Sequence, residues 1–217
     1  MDVNLVTLRD PRSPAAEAYR ALRMNLAFTS LDRDLSCFVV APPATEGLDA
    51  NVAANLAVVI AQSGKQVCLV DADLRRPTLH TLFNVPQEPG VTTLLVSTKE
   101  DVGIPLAPTG VPGLSLLPSG ALPPNPADIL GSNKMAALLD SLRSLVDVVV
   151  FQSPPVTVAV DAAVLAAQTD GLLLVVRTGH TRRDRVEQAK ELLERFRVRL
   201  LGAVMTDAPD RGLLTGY

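Results

Sequence analysis

APPATEGLDANVAANLAVVIAQSGKQVCLVDADLRRP, residues 41–77, contains the turn on which the reading of this chain depends. The apolar run that leads into it, CFVVA (37–41), has the length and β-branched content of a buried strand. NVAANLAVVIAQSG (51–64) reads as a helix closed by a C-terminal glycine. QVCLVDA (66–72) is a second buried strand, with Lys65 in the turn before it. Strand, polar loop, helix and strand in that order make a parallel unit, with the loop at the carboxyl end of the first strand.

The same alternation continues through the chain. DVVVFQ (147–152), GLLLVVRT (171–178) and VRLLGAVM (198–205) are continuous apolar runs of the kind a parallel sheet buries on both faces. NKMAALLDSLRSL (133–145), DAAVLAAQ (161–168) and TRRDRVEQAKELLERF (181–196) read as the helices between them. The expected fold is α/β, a doubly wound, mostly parallel sheet flanked by helices. Residues 85–126, rich in Pro and Gly, read as surface loops around one short strand, LSLL. The sheet resumes after them, so residues 1–217 read as one domain, with a helix at about 14–28 and a short tail at about 207–217.

Composition narrows the function. The chain has 217 residues, 47% of them hydrophobic, and a net charge of -3, enough for a sizeable core but without the basic stripe expected of a nucleic-acid binder. Without Trp and with two Tyr, it lacks a stacking platform for single strands. No apolar run is long enough to cross a bilayer, and MDVNLVTLRDPRSP lacks the pattern of a secretory leader. Cys37 and Cys68 fall in strands and read as reduced core thiols of a cytoplasmic protein. His80 and His180 read as surface residues, too few for a zinc site, and no metal cluster is expected. Ser153 lies before two prolines without a nearby histidine and is no triad nucleophile.

Ligands of open parallel sheets bind outside the carboxyl ends of the strands. Asp71 and Asp73 sit there, two apart and so on one side of an extended backbone. Such a pair suits a Mg²⁺ shell or a general base. Taken alone, it suits better an acidic strand end that caps the next helix. The loop before the first helix occupies the place of a phosphate cradle.

Asn55, Leu56 and Ala57, then LVDADLRRPTLHTLF, DVVVFQSPP and TDGLLLVVRTGHTRRD, follow one another in an order that resembles the bacterial tyrosine kinases of capsule and exopolysaccharide assembly. These are relatives of the partition and septum-site ATPases, and the resemblance runs from about residue 5 to about 205. It implies a P-loop NTPase-like domain that binds ATP and Mg²⁺. It also implies work beside a membrane-spanning chain-length regulator (a polysaccharide co-polymerase), whose cytoplasmic tail completes the active site. Recruitment to the inner face of the membrane would then come through that partner.

The departures from the family pattern concentrate at one site. Aligned back from Asn55, the family's Lys position holds Asp49 and its Ser/Thr position Ala50; with one residue inserted, they hold Leu48 and Asp49. Either way, the ammonium that reaches the β- and γ-phosphates and the hydroxyl that ligates Mg²⁺ are missing. Pro42, Pro43, Ala44 and Thr45 replace residues whose amides should cradle phosphate, and proline has no N–H. Gln152 stands where the family carries a second aspartate, and Thr206 where an asparagine meets the adenine. Glu46, Gly47, Leu48, Asp49, Ala50, Asn51, Arg75, Arg76 and Thr206 are thus remnants of a nucleotide site, and Asp71, Asp73 and Gln152 remnants of its catalytic groups. Exchanging a lysine for a carboxylate at about 4 Å from phosphate, with an effective dielectric of about 20, replaces an attraction of order 4 kcal/mol by a repulsion of similar size. Even a discounted shift of about 4 kcal/mol weakens binding roughly a thousandfold. No cofactor is expected, and the sequence reads as a pseudokinase.

The alternatives are a divergent active kinase, in which Lys65, Arg75 or Arg76 reaches the phosphate, and a partition-type positioning ATPase. In the plainer reading Arg75 and Arg76 only neutralise Asp71 and Asp73. The front helix keeps another family feature. In SPAAEAYRALRMNLAF, Ser13 reads as a cap with Pro14 in the first turn, and Glu17, Arg20 and Arg23 share one face. Alone they read as a solvated charged stripe, but the resemblance assigns them to a motif that docks on a neighbouring subunit, giving a homo-oligomer or a hetero-oligomer with a kinase paralogue. Tyr217, alone where the family has a tyrosine cluster, is an exposed terminal residue or a phosphoacceptor for an active sister kinase. The charges of 182–197 read as a solvated helix face.

Overall fold

A computed structural model describes residues 3–29, 35–45, 51–97 and 103–208. Its frame is a seven-stranded sheet of β1 (Cys37–Ala41), β2 (Val67–Asp71), β3 (Ala107–Pro108), β4 (Leu114–Leu117), β5 (Val148–Gln152), β6 (Leu172–Arg177) and β7 (Leu200–Thr206), in the order β3-β4-β2-β5-β1-β6-β7. All neighbouring pairs are parallel except β3 with β4. The chain leaves β1 toward β2 on one side and later returns to β6 on the other, which puts the carboxyl end of β1 at the reversal of winding.

Alternation along each strand divides the core in two. Phe38, Val40, Val67 and Leu69 point to the face covered by α1 (Val6–Arg9), α2 (Pro14–Thr29), α3 (Asn51–Ala61) and α4 (Leu79–Leu82). Cys37, Val39, Cys68 and Val70 point to the opposite face, covered by α5 (Val91–Val96), α6 (Pro126–Leu130), α7 (Asn133–Leu145), α8 (Asp161–Ala166) and α9 (Arg183–Arg195). Every residue of α3 after Asn51 is buried, since the helix lies between the sheet and the two helices before it. Asn55 secures that layer: its Oδ1 accepts bonds from the Thr7 amide at 3.1 Å and the Thr7 hydroxyl at 2.8 Å. Gly64, at φ +92°, makes the expected reversal after α3.

The doubly wound, mostly parallel sheet follows the sequence reading, and the helix over 133–145 matches it end to end. Three expectations change. Within residues 85–126 the expected strand LSLL is β4, which joins the sheet beside β2 with Leu116 and Leu117 buried, but the segment also holds α5, which packs Val91 and Leu95 into the core. A Cβ on Gly90 would collide with the backbone of Pro118 and Gly120, so the glycine serves close packing of this segment rather than a free loop. β7 is an edge strand with alternating burial, and Leu200 and Met205 are exposed. His80 is half-buried on α4, with its Nδ1 buried, rather than a surface residue. Cys37 and Cys68 are buried and free as expected, and burial pushes both thiols up to about 12. No helix among the described residues is long and apolar enough to cross a membrane.

Candidate functional site

Three strands end together beneath the loop that follows β1. Gln152 of β5 is in register with Val40 of β1 on one side and with Asp71 of β2 on the other. Residues 46–50, which include Glu46, Gly47, Leu48, Asp49 and Ala50, lie outside the described residues. Hydrogen bonds fix the start of the loop. Pro42, Pro43 and Ala44 are buried, the Val156 amide donates to the Pro42 carbonyl at 3.0 Å, and Thr157 donates its amide (3.0 Å) and hydroxyl (2.8 Å) to the Pro43 carbonyl. A cradle for phosphate presents amides; these two residues have none, and their carbonyls are tied to the segment after β5.

The two strand-end carboxylates are occupied by backbone. Asp71, fully buried, accepts from the amides of Thr78 (3.0 Å), Leu79 (2.9 Å) and Asp73 (3.3 Å), and so caps α4 from outside the helix. Asp73 accepts from the amides of Arg75 (3.1 Å) and Arg76 (2.9 Å) and closes the turn that follows. Burial pushes the Asp71 carboxyl up to about 7, against the amides of Leu79 and Thr78 and with the Asp73 charge adding to the rise. Burial likewise raises Asp73, opposed by the amides of Arg76 and Arg75, with the Asp161 charge adding to the rise.

The arginines do not simply neutralise this pair. Arg75 reaches across to α8, donating Nε to Asp161 Oδ2 at 2.7 Å and Nη2 to Oδ1 at 3.0 Å. The Asp161 side chain is fully buried and that of Arg75 is 44% exposed. Arg76 acts as expected, its charge favouring ionised Asp73, and Arg75 feels the Asp73 charge as well, after its stronger bond to Asp161. Lys65 lies before the amino end of β2, and a five-residue strand at about 3.3 Å per residue separates it from the site edge, so it cannot replace the missing lysine.

Gln152 is 6% exposed, and its Oε1 is buried without a hydrogen-bond partner among the described residues; the same is true of the Ser153 hydroxyl next to it. Thr206 ends β7, two strands from β1; its hydroxyl and that of Thr178 are buried without a partner among the described residues, and the Thr178 amide donates to the Thr206 carbonyl. Asn51 opens α3, exposed, with its carbonyl taken by Asn55 Nδ2 at 2.8 Å. The structure therefore gathers Asp71, Asp73, Gln152, Arg75 and Arg76 along one edge and leaves Thr206 at its far end. Among the described residues no group of three or more His, Cys, Asp or Glu could hold a metal ion. Asp71 with both oxygens bonded to amides, Asp73 with Oδ1 so bonded, a neutral amide at 152 and two prolines fit a triphosphate–magnesium group poorly.

Away from this edge, Ser13 Oγ caps α2 by accepting from the Ala16 amide at 3.2 Å. Arg20 donates to Glu17 at 2.7 Å and to the Pro11 carbonyl at 2.6 Å, while Arg23 is half-buried one turn on. Tyr217 lies outside the described residues. Sequence reasoning missed Asp161 as a site residue, reading it only as the first residue of a helix. Its partner is 86 positions away, a distance over which spacing carries no signal.

The buried carboxyl of Asp71 gives a signed pH prediction. Its folded value, about 7, lies above the ordinary Asp value of about 3.9. The native state therefore holds a proton that the unfolded chain has released between about pH 4 and about pH 7. Stability from this group is complete below about pH 4 and is lost as pH rises to about 7, at up to about 1.4 kcal/mol per unit. Denaturant unfolding of the wild type and Asp71→Asn across that window is expected to show the wild type losing its advantage as pH rises. Parallel profiles would contradict the burial argument.

Comparison with known proteins agrees with this architecture. A family model described as "ParA: NUBPL iron-transfer P-loop NTPase" matches residues 49–206. The tyrosine-protein kinase YwqD of Bacillus subtilis (strain 168) is 37% identical over 205 residues, 94% of this chain and 86% of that protein. The crystal structure of the chimerical protein CapA2B2 superposes with a TM-score of 0.88 at 34% identity, over 95% of this chain and 90% of that one. The kinase domain of Escherichia coli tyrosine kinase ETK gives 0.86 at 31% identity, over 94% and 82%. A more distant structure, cobyrinic acid a,c-diamide synthase from Mycobacterium smegmatis with bound ATP analog and magnesium, shares the fold at 18% identity and a TM-score of 0.66, over 79% of this chain and 75% of that one. With its sheet order, its strand-end Asp pair and this likeness over nearly its whole length, the chain belongs to the bacterial tyrosine kinase family.

Proposed function

We propose that this chain is a non-catalytic member of that family, an interaction module in exopolysaccharide or capsule assembly. It works as one domain at the inner face of the membrane, by binding itself, an active kinase paralogue or the cytoplasmic tail of a membrane co-polymerase. The observation that carries the reading is the concerted loss at one edge. Lysine and hydroxyl are absent before α3, two prolines open the loop, and Gln152 replaces the second acid, its oxygen without a partner among the described residues. Repulsion in place of attraction at the phosphate accounts for roughly a thousandfold loss of affinity. Calorimetric titration of the purified chain with ATP and Mg²⁺ is expected to give no heat of binding. Tight Mg²⁺-dependent binding would overturn the proposal.

Retention of Asp71 and Asp73 supports a second reading, a divergent active kinase. Arg76, exposed beside Asp73, is then the residue that meets the phosphate. In that case ATP binds, and Arg76→Ala removes most of the affinity.

Assembly is the working property under the first reading. On the exposed side of α2, Glu17 and Arg20 are followed by Met24, 42% exposed, and Phe28, 61% exposed, a face with both charge and apolar area to offer a neighbour. Replacing Arg20 and Arg23 together by Ala is expected to lower the mass seen by light scattering while the thermal midpoint stays within a few degrees, since exposed pairs contribute about 0–1 kcal/mol. An unchanged mass would return these residues to a solvated stripe.

A further inference from the structure

Behind the loop, on the side away from α2, the segment after β5 and the outer face of α9 enclose a cavity of about 290 Å³. Its apolar wall is Val156, Val158, Val160 and Leu192; its polar wall is Arg185 and Gln188. Val158 and Val160 are 57% and 42% exposed, so the apolar surface continues beyond the cavity mouth. A space at the lower limit of small-molecule sites suits one or two side chains rather than a nucleotide, and the valines outside it extend the contact along a line.

The charges on α9 indicate what enters. Arg182 is held by Asp184 through two bonds, at 3.0 and 3.1 Å, and Arg183 by Glu187 at 2.9 Å. Arg185, the cation of the cavity wall, donates to the neutral Gln188 Oε1 at 3.0 Å; its charge also favours ionised Asp184, which bonds Arg182, but Arg185 makes no direct ion pair among the described residues. A guanidinium offers five N–H donors, and an incoming carboxylate can take two of them in a fork.

We propose that this cavity docks an acidic, extended segment of a partner protein, with an aliphatic side chain seated on Val158, Val160 and Leu192 and an adjacent carboxylate on Arg185. The docked segment also touches the old nucleotide edge. Val156 and Thr157 hold the carbonyls of Pro42 and Pro43, and Asp161, one residue past Val160, holds Arg75. The occupant therefore braces the start of the loop from behind. The choice of a protein segment rests on the interaction-module reading, whereas the test below does not use nucleotide.

The probes are two fluorescein-labelled peptides, one alternating leucine and glutamate and the other leucine and lysine, titrated by anisotropy onto the full chain. The glutamate peptide is expected to bind at least about tenfold more tightly than the lysine peptide. Arg185→Glu should reverse that preference, and Val158→Asp should weaken the glutamate peptide by about tenfold. Both positions are exposed, and matching melting curves will show that the variants fold. Equal affinity for the two peptides, no binding of either, or a preference that survives Arg185→Glu would each overturn the docking site. Failure here leaves the ATP titration untouched, and ATP binding there leaves a positive result here standing, so the two proposals fail separately.

Discussion

The triple variant Asp49→Lys, Ala50→Ser and Gln152→Asp is expected to gain Mg²⁺-dependent ATP affinity by about a hundredfold to a thousandfold, read by calorimetry. Each replacement restores one lost element. Lysine supplies the phosphate cation, serine the hydroxyl for the metal, and aspartate at 152 an acid in register with Asp71 at the ends of β5 and β2. Reversing the sign of one charge at about 4 Å from phosphate accounts for most of the gain, at about 4 kcal/mol before screening. Kinase activity should stay low, because Pro42 and Pro43 still present no amides and their carbonyls stay bound to Val156 and Thr157. The alternative alignment moves the repair to Leu48→Lys with Asp49→Ser, and both versions should be made. Should neither bind while both fold, the loop has been reshaped beyond its motif residues. The family resemblance would then describe ancestry alone.

The strands around this site were legible because parallel strands are buried on both faces and so appear as unbroken apolar runs. CFVVA, VCLVD and VVVFQ need no partner to be recognised. What escaped the sequence is what distant groups impose. The four residues of α4 form a helix under a cap from Asp71, seven and eight positions earlier, and such a helix carries no period of its own. VTTLLV is β-branched and lies between glycine and proline-rich stretches, and it becomes α5 only where its face meets the core. β7 shares the apolar character of the inner strands, but its place at the sheet edge, not its composition, leaves Leu200 and Met205 outside. At the site, the missing lysine was visible as a departure from spacing. The engagement of Arg75 was not: arginine next to two aspartates looks like their counter-ion until the fold brings a third carboxylate nearer.

That third carboxylate sets the other large expectation. Arg75→Ala is expected to destabilise the fold by about 2–3 kcal/mol, and Asp161→Ala by about 1 kcal/mol or less. The asymmetry follows from exposure. Removing the guanidinium leaves the fully buried Asp161 carboxylate without the pair of bonds that compensates its charge. Breaking a wholly buried pair costs about 3–5 kcal/mol, and the 44% exposure of Arg75, which already admits water, brings the figure down. Removing the aspartate instead leaves an arginine that can turn to solvent. The double variant should then resemble Asp161→Ala, since no charge remains buried in either, so the two single effects should not add. Denaturant unfolding of the three variants at neutral pH decides the matter through the midpoints at constant slope. If Arg75→Ala proves no worse than Asp161→Ala, the Asp161 carboxylate is satisfied by another partner. Arg75 would then be free to swing toward the loop, where it could stand in for the missing lysine.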